Sequence, residues 1–184
     1  MLFVGRKCRL KGYHAVREAV AMMVRQGRPV TLVTIGADVD SPYPELPHEA
    51  DLDLGRADDG QKAAALAACD LLALPSSVES FGIVYTEAWA YGKPVICGSS
   101  PASRELVARH GGGLIGSDDP LQLAATIARL LDDESLRFSL GGAGRDAVSG
   151  ELSWPIVARR HRQTWARLAR PNCQISEIAV GHGT

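Results

Sequence analysis

The stretch Leu72–Ile96, LALPSSVESFGIVYTEAWAYGKPVI, decides how the chain is read. Leu72-Ala73-Leu74 is a short continuous apolar run, the pattern of a strand buried on both faces, and Pro75 ends it. Ser76 to Gly82 is a polar loop, Ile83 to Ala90 a short apolar helix, Gly92 a turn, and Val95-Ile96 a second buried strand. Glu79 falls in the loop and Glu87 in the helix. Phe81-Gly82 lies between them, where a backbone without a Cβ can come close to a ligand.

Working outward, the same alternation continues. Leu2-Phe3-Val4 is a strand ending at Gly5, followed by a basic loop from Arg6 to Gly12. Val16, Ala19, Val20, Met23 and Val24 form a helical stripe that stops at Gly27. Val30 to Ile35 is a β-branched buried strand, and the proline-rich run from Asp38 to Glu49 is loop. A short strand over Asp51–Gly55 and an alanine-rich helix over Gln61–Ala68 lead back into the central stretch. Beyond it come a helix over Ala102–Arg109, a brief strand at Leu114-Ile115, and a helix opened by Pro120 and interrupted at Asp132-Asp133. The next helix, Leu136–Val148, carries a weak spot at Gly141-Gly142. A final helix is capped by Ser153, with Trp154, Val157, His161, Trp165 and Leu168 on one stripe.

Strands alternating with helices, at spacings that fit crossovers and not hairpins, predict an α/β fold: a Rossmann-like parallel sheet with helices on both faces. One domain is expected over residues 1–171, with an unpatterned tail over residues 172–184. In such sheets ligands sit outside the carboxyl ends of the strands, so the loops Arg6–Gly12, Gly36–Val39, Gly55–Asp59, Ser76–Gly82 and Gly98–Ser103 are the ones that matter.

Composition removes several classes. A length of 184 residues supports a real core, and a net charge of −1 argues against general nucleic-acid binding. No run reaches the apolar length of a membrane span and no signal peptide is visible, so the expected location is cytoplasmic. Cys8, Cys69, Cys97 and Cys173 have no metal-ligand spacing, and Cys69 and Cys97 read as small buried hydrophobes.

The start of the helix at Gly82-Ile83-Val84 can attract an anion through unpaired N–H groups and the helix dipole. Arg6 and Lys11 lie in a loop at the same sheet edge. A diphosphate then meets N–H groups on one side and two cations on the other; the plain alternative is that Arg6 and Lys11 are solvated loop charges. Glu79 and Glu87 suit vicinal hydroxyls, one on a ribose and one on a sugar ring. Other motifs fail: there is no P-loop and no dinucleotide fingerprint after the first strand. Asp38-Val39-Asp40 is a D-x-D that a metal or a merely acidic loop explains equally well. His161 reads as a core or interface residue, and Ser99-Ser100 lacks a nucleophile setting. Arg159, Arg160, Arg162, Arg167 and Arg170 form a basic face, usually solvation and less often contact with an anionic membrane surface, here the inner face of the membrane.

With these residues in view, PSSVESFGIVYTEAWAYGKPVI resembles the nucleotide-sugar-binding signature of family 4, group 1, retaining glycosyltransferases, which have the GT-B fold. The likeness rests on Pro75-Ser76, Glu79-Ser80-Phe81-Gly82, Glu87-Ala88, Ala90, Gly92 and Pro94-Val95. Val4-Gly5-Arg6 with Lys11-Gly12 is similar to the family's opening strand and diphosphate loop. Ser103 to Val107 and Leu152-Ser153-Trp154 are similar to later segments, so the resemblance runs from Leu2 to Arg170.

The resemblance implies roles. Arg6 and Lys11 neutralise the diphosphate leaving group. Glu79 and the backbone of Phe81 and Gly82 hold hydroxyls of the transferred sugar. Ile83 and Val84 offer N–H groups to phosphate, Glu87 takes the ribose, and Arg56 beside Gly55 lies near the nucleobase. It implies no metal and no cofactor, the donor being a nucleoside-diphosphate sugar.

The resemblance is to the second of two GT-B domains. It implies that a sugar, lipid or small-molecule acceptor binds through a missing N-terminal domain and that this chain alone is inactive. The chain is then an excised piece, a truncated product or one half of a split enzyme. The Trp154 and Trp165 face of the last helix would face the other domain. Two alternatives stand beside this: a stand-alone nucleotide-sugar-binding module, and a nucleotide-sugar epimerase or hydrolase on the same fold.

Overall fold

A computed structural model describes residues 1–169. The expected tail, Arg170 and Cys173 lie outside the described residues. The architecture is a six-stranded sheet in the order β3-β2-β1-β4-β5-β6, formed by Leu2–Val4 (β1), Leu32–Ile35 (β2), Asp51–Asp53 (β3), Leu72–Leu74 (β4), Val95–Cys97 (β5) and Gly113–Ile115 (β6). Every pairing is parallel. Between and after the strands run Tyr13–Arg25 (α1), Asp59–Ala68 (α2), Ile83–Ala90 (α3), Pro101–His110 (α4), Pro120–Asp132 (α5), Glu134–Ser149 (α6) and Trp154–Leu168 (α7). α1 packs on α5, and α3 on α6.

The chain lays down β1, β2 and β3 in one direction and then returns to place β4 on the other side of β1. The loops after β1 and β4 therefore leave the sheet in opposite directions. The crevice between them, at the carboxyl edge, is where a sheet of this kind takes a ligand.

The core is the set of residues the patterns marked. Leu2, Phe3, Leu32, Leu72, Ala73, Leu74, Val95 and Ile96 are fully buried in the sheet, under Val16, Val20 and Met23 of α1 and Leu123, Ile127 and Leu130 of α5. Burial of apolar surface on this scale is the main stabilising term. Cys69 and Cys97 are buried, as expected.

Boundaries follow local chemistry. α2 starts at a capping box: Asp58 accepts from the Gln61 backbone at 2.8 Å while the Gln61 side chain accepts from the Asp58 N–H at 3.0 Å. The interruption at Asp132-Asp133 is a helix junction, because Asp133 accepts from Leu136 N and caps α6. Gly141 does not break α6. A Cβ there would stand 1.9 Å from the Gly92 carbonyl, so the glycine lets α6 lie against the end of α3.

The last helix departs from the stripe expected of it. Ser153 is its N-cap, but without a side-chain hydrogen bond, and none of the residues of α7 is buried. Trp154 is 82% exposed, Trp165 65%, and His161 is exposed too, so His161 is no core residue of this domain. The stripe is real in sequence, but among the described residues only Val157 of it is partly covered.

Candidate functional site

The loop after β1 and the loop after β4 are laced together at the crevice. The Ser76 hydroxyl lies within hydrogen-bond reach of two carbonyls, Leu10 at 3.1 Å and Val78 at 2.9 Å, and Ser77 N–H donates to the Leu10 carbonyl at 2.9 Å. The third loop joins through Ser100, which is buried: its Oγ accepts from Glu79 N–H and donates to Glu79 C=O, both at 3.1 Å. Ser100, set aside in sequence as a nucleophile, instead fixes the backbone of a candidate site residue.

That lacing delivers Lys11 to Glu79. The ammonium lies 2.6 Å from Glu79 Oε1 and 3.2 Å from the Val78 carbonyl. Both side chains are largely shielded, at 19% and 12% exposure. A charge-assisted pair screened from solvent is held more firmly than an open surface pair. Lys11 is thus no freely solvated loop charge. Arg6, by contrast, is exposed and has no ion-pair partner among the described residues.

Gly82 opens α3 with φ of +81°, in the left-handed region, and a Cβ there would fall 2.4 Å from the Tyr85 ring. The need for glycine therefore has an internal cause, beside any approach by a ligand. Tyr85 is fully buried, and its hydroxyl donates to the Leu74 carbonyl at 2.7 Å. Burial pushes its phenol far above the usual value. The same residue ties α3 to the end of β4, and Trp89 ties it to the Gly112 carbonyl at 2.7 Å. The first N–H groups of α3, on Ile83 and Val84, are thereby held at the crevice with no carbonyl behind them in the helix. Ile83 is 63% exposed there.

Glu87 stands one turn into α3. Its carboxylate accepts from Lys62 Nζ at 2.8 Å. Arg56 is exposed in the loop after β3 and forms no hydrogen bond to the other candidate residues. The Phe81 ring lines a cavity of about 280 Å3 with Leu106, His110, Glu151, Leu152 and Arg160.

Two cations carried no separate weight in the sequence. Lys62 is one. Lys7 is the other: it is 1% exposed and sits 2.5 Å from Asp53 and 3.1 Å from Asp38. Burial alone pushes its ammonium down, but the bonds to Asp53 and Asp38 outweigh this and raise it. Asp53 also accepts from Gly55 N–H at 2.9 Å, so Lys7 ties together the loops after β1, β2 and β3. Asp38 and Asp40 are occupied by protein partners, Lys7 and the Arg9 N–H respectively. Neither link was findable by spacing, since Lys7 and Asp53 are 46 residues apart and Lys62 and Glu87 are 25 apart.

The family model described as glycosyl transferases group 1 matches residues 1–147. This chain belongs to that family. Among curated relatives of the group 1 chain, the GDP-mannose-dependent monoacylated alpha-(1-6)-phosphatidylinositol monomannoside mannosyltransferase of Corynebacterium glutamicum is 39% identical over 114 residues, 58% of this chain. The chain spans only 30% of that enzyme's length. Anabaena HepE, solved in complex with UDP, superposes with a TM-score of 0.75 at 25% identity, over 90% of this chain and 48% of HepE. The C-terminal domain of the group 1 protein LpcC from Francisella tularensis superposes with a TM-score of 0.70 at 21% identity, over 83% of this chain and 86% of that domain. The group 1 sheet described above is thus one half of a GT-B fold, as the sequence implied. No helix among its described residues is long and apolar enough to cross a membrane.

Proposed function

We propose that this group 1 chain holds a nucleoside-diphosphate sugar across the crevice between β1 and β4, as the donor half of a retaining glycosyltransferase. The observation that carries the reading is the Lys11–Glu79 pair at 2.6 Å beside the open start of α3. It puts a cation, a carboxylate and unpaired N–H groups on one small surface. Arg6, Lys11 and the N–H groups of Ile83 and Val84 receive the charge that develops on the diphosphate as its bond to the anomeric carbon breaks. Glu79 and the backbone of Phe81 and Gly82 take hydroxyls of the sugar, Glu87 those of the ribose, and Arg56 lies toward the base. In this reading the two cations and the helix start do the work a metal does elsewhere. The acceptor site comes from polypeptide outside this chain, and the chain by itself transfers no sugar.

GDP-mannose is the first donor to try, because the mannosyltransferase relative is named for it, and UDP-sugars follow because HepE was solved with UDP. The test is calorimetry of the purified chain with GDP, UDP, ADP and their sugars. Measurable affinity for the diphosphates of one base is expected. A folded sample that binds none of them would overturn the reading, and robust sugar transfer by the chain alone would overturn the need for a second half.

A further inference from the structure

Lys62 lies on α2, the helix that leaves the loop expected to meet the base, and reaches across to α3. We propose that Lys62 is a positioning residue that fixes the Glu87 carboxylate in the orientation that accepts the ribose hydroxyls. The proposal rests on the reading of Glu87 as the ribose ligand.

The geometry favours this over a pairing with Asp59 on the surface of α2. Lys62 Nζ is 2.8 Å from Glu87 Oε1, and its other acidic neighbour, Asp59 Oδ1, is 3.8 Å away and fully exposed. The side chains of Lys62 and Glu87 are 28% and 32% exposed, so the pair is partly shielded. Glu87 raises the Lys62 ammonium above the ordinary lysine value through their hydrogen bond, against a smaller opposing effect of burial, and the cation stays charged throughout the neutral range. The root of Lys62 is rigid because the Asp58–Gln61 capping box anchors the first turn of α2 just before it. A carboxylate has about four lone-pair sites. Lys62 uses one on Oε1 and leaves Oε2 and the rest of Oε1 for a vicinal diol. An unanchored glutamate would have to be ordered on binding, a cost that a held one has already met.

The test uses calorimetry on the chain with the nucleoside diphosphate that the wild type binds and with its 2′,3′-dideoxy counterpart. Lys62→Met is expected to weaken the natural compound about three- to tenfold, while the dideoxy compound changes less than about twofold. Lys62→Met added to Glu87→Gln is expected to cost nothing further, and Lys62→Arg to restore part of the loss. If Lys62→Met weakens both compounds equally, or adds fully to Glu87→Gln, Lys62 touches the phosphates or merely supports the fold, and the proposal fails. An unchanged affinity in Lys62→Met also overturns it. A wild type that binds no nucleotide overturns the donor reading itself, a separate outcome.

Discussion

The Lys11 ammonium rests 2.6 Å from the Glu79 carboxylate, though the two are 68 residues apart in the chain. One belongs to the loop after β1 and the other to the loop after β4, the strands on either side of the point where the sheet reverses. In the proposed donor reading Lys11 then has two claimants, the Glu79 carboxylate and the diphosphate.

Lys11→Ala and Glu79→Gln are therefore expected to act in opposite senses on diphosphate binding. Losing a charge-assisted bond at a shielded site costs about 1.5–3 kcal/mol. Lys11→Ala should weaken nucleoside diphosphates ten- to a hundredfold by this estimate, roughly the same range in Kd, with the nucleoside changed less than about twofold. Glu79→Gln removes the competitor, so diphosphate affinity holds or rises while the preference for the sugar nucleotide over the diphosphate is lost. Calorimetry with the three ligands checks both variants; a loss of diphosphate affinity in Glu79→Gln would contradict the arrangement.

Glu87→Ala is expected to weaken nucleoside and nucleoside diphosphate alike, by about tenfold, because the ribose is common to both. A selective loss for the diphosphate would place Glu87 at the phosphates instead. The same calorimetric series decides it.

Gly82→Ala tests why the helix starts as it does. The backbone is left-handed there, at φ of +81°, and the new methyl would meet the Tyr85 ring at 2.4 Å. The cost is expected to be about 2 kcal/mol or more, from backbone strain and displaced packing. The urea midpoint of the variant should fall without a change in slope. A midpoint within error of wild type would mean that Tyr85 moves aside freely.

Alkaline pH should unfold the protein through groups that keep their protons in the fold. Burial pushes the Cys97 thiol from 9.0 up to about 11 and pushes the Tyr85 phenol well above 10.0. Each folded value is raised, so its contribution is complete below the unfolded value and is lost as pH rises through the folded one. For Cys97 that window runs from 9.0 to about 11. Each such group lowers stability by up to about 1.4 kcal/mol per pH unit within its window. Denaturant unfolding at pH 8, 9.5 and 10.5, compared between wild type and Cys97→Ala, should show a shallower alkaline decline in the variant; parallel curves would remove Cys97 from the account.

Much of this was legible in the chain. Short apolar runs such as Leu72–Leu74 and Val30–Ile35, the latter a strand from Leu32 on, read as strands, and the α1 stripe carries the helical period, so the alternation of elements and hence the parallel sheet followed. The stretch from Pro75 to Val95 carried the family likeness. These features are local: periodicity, capping and turn chemistry act over a few residues and leave their mark in sequence.

What the tertiary structure alone decided are the partners. Lys11 meets Glu79, Lys62 meets Glu87, Lys7 meets Asp53, and Ser100 locks the Glu79 backbone, each across separations that no periodicity encodes. The sequence marked Gly82 as an opening for a ligand, and the fold added the Tyr85 ring filling the space where its side chain would go. The sequence set Trp154 and Trp165 on one stripe, and the fold left both rings exposed. The reason is common to all of them. An ion pair or a close contact depends on which loops the strand order brings to the same edge. That order is fixed by the packing of the whole sheet and not by any residue's neighbours in the chain.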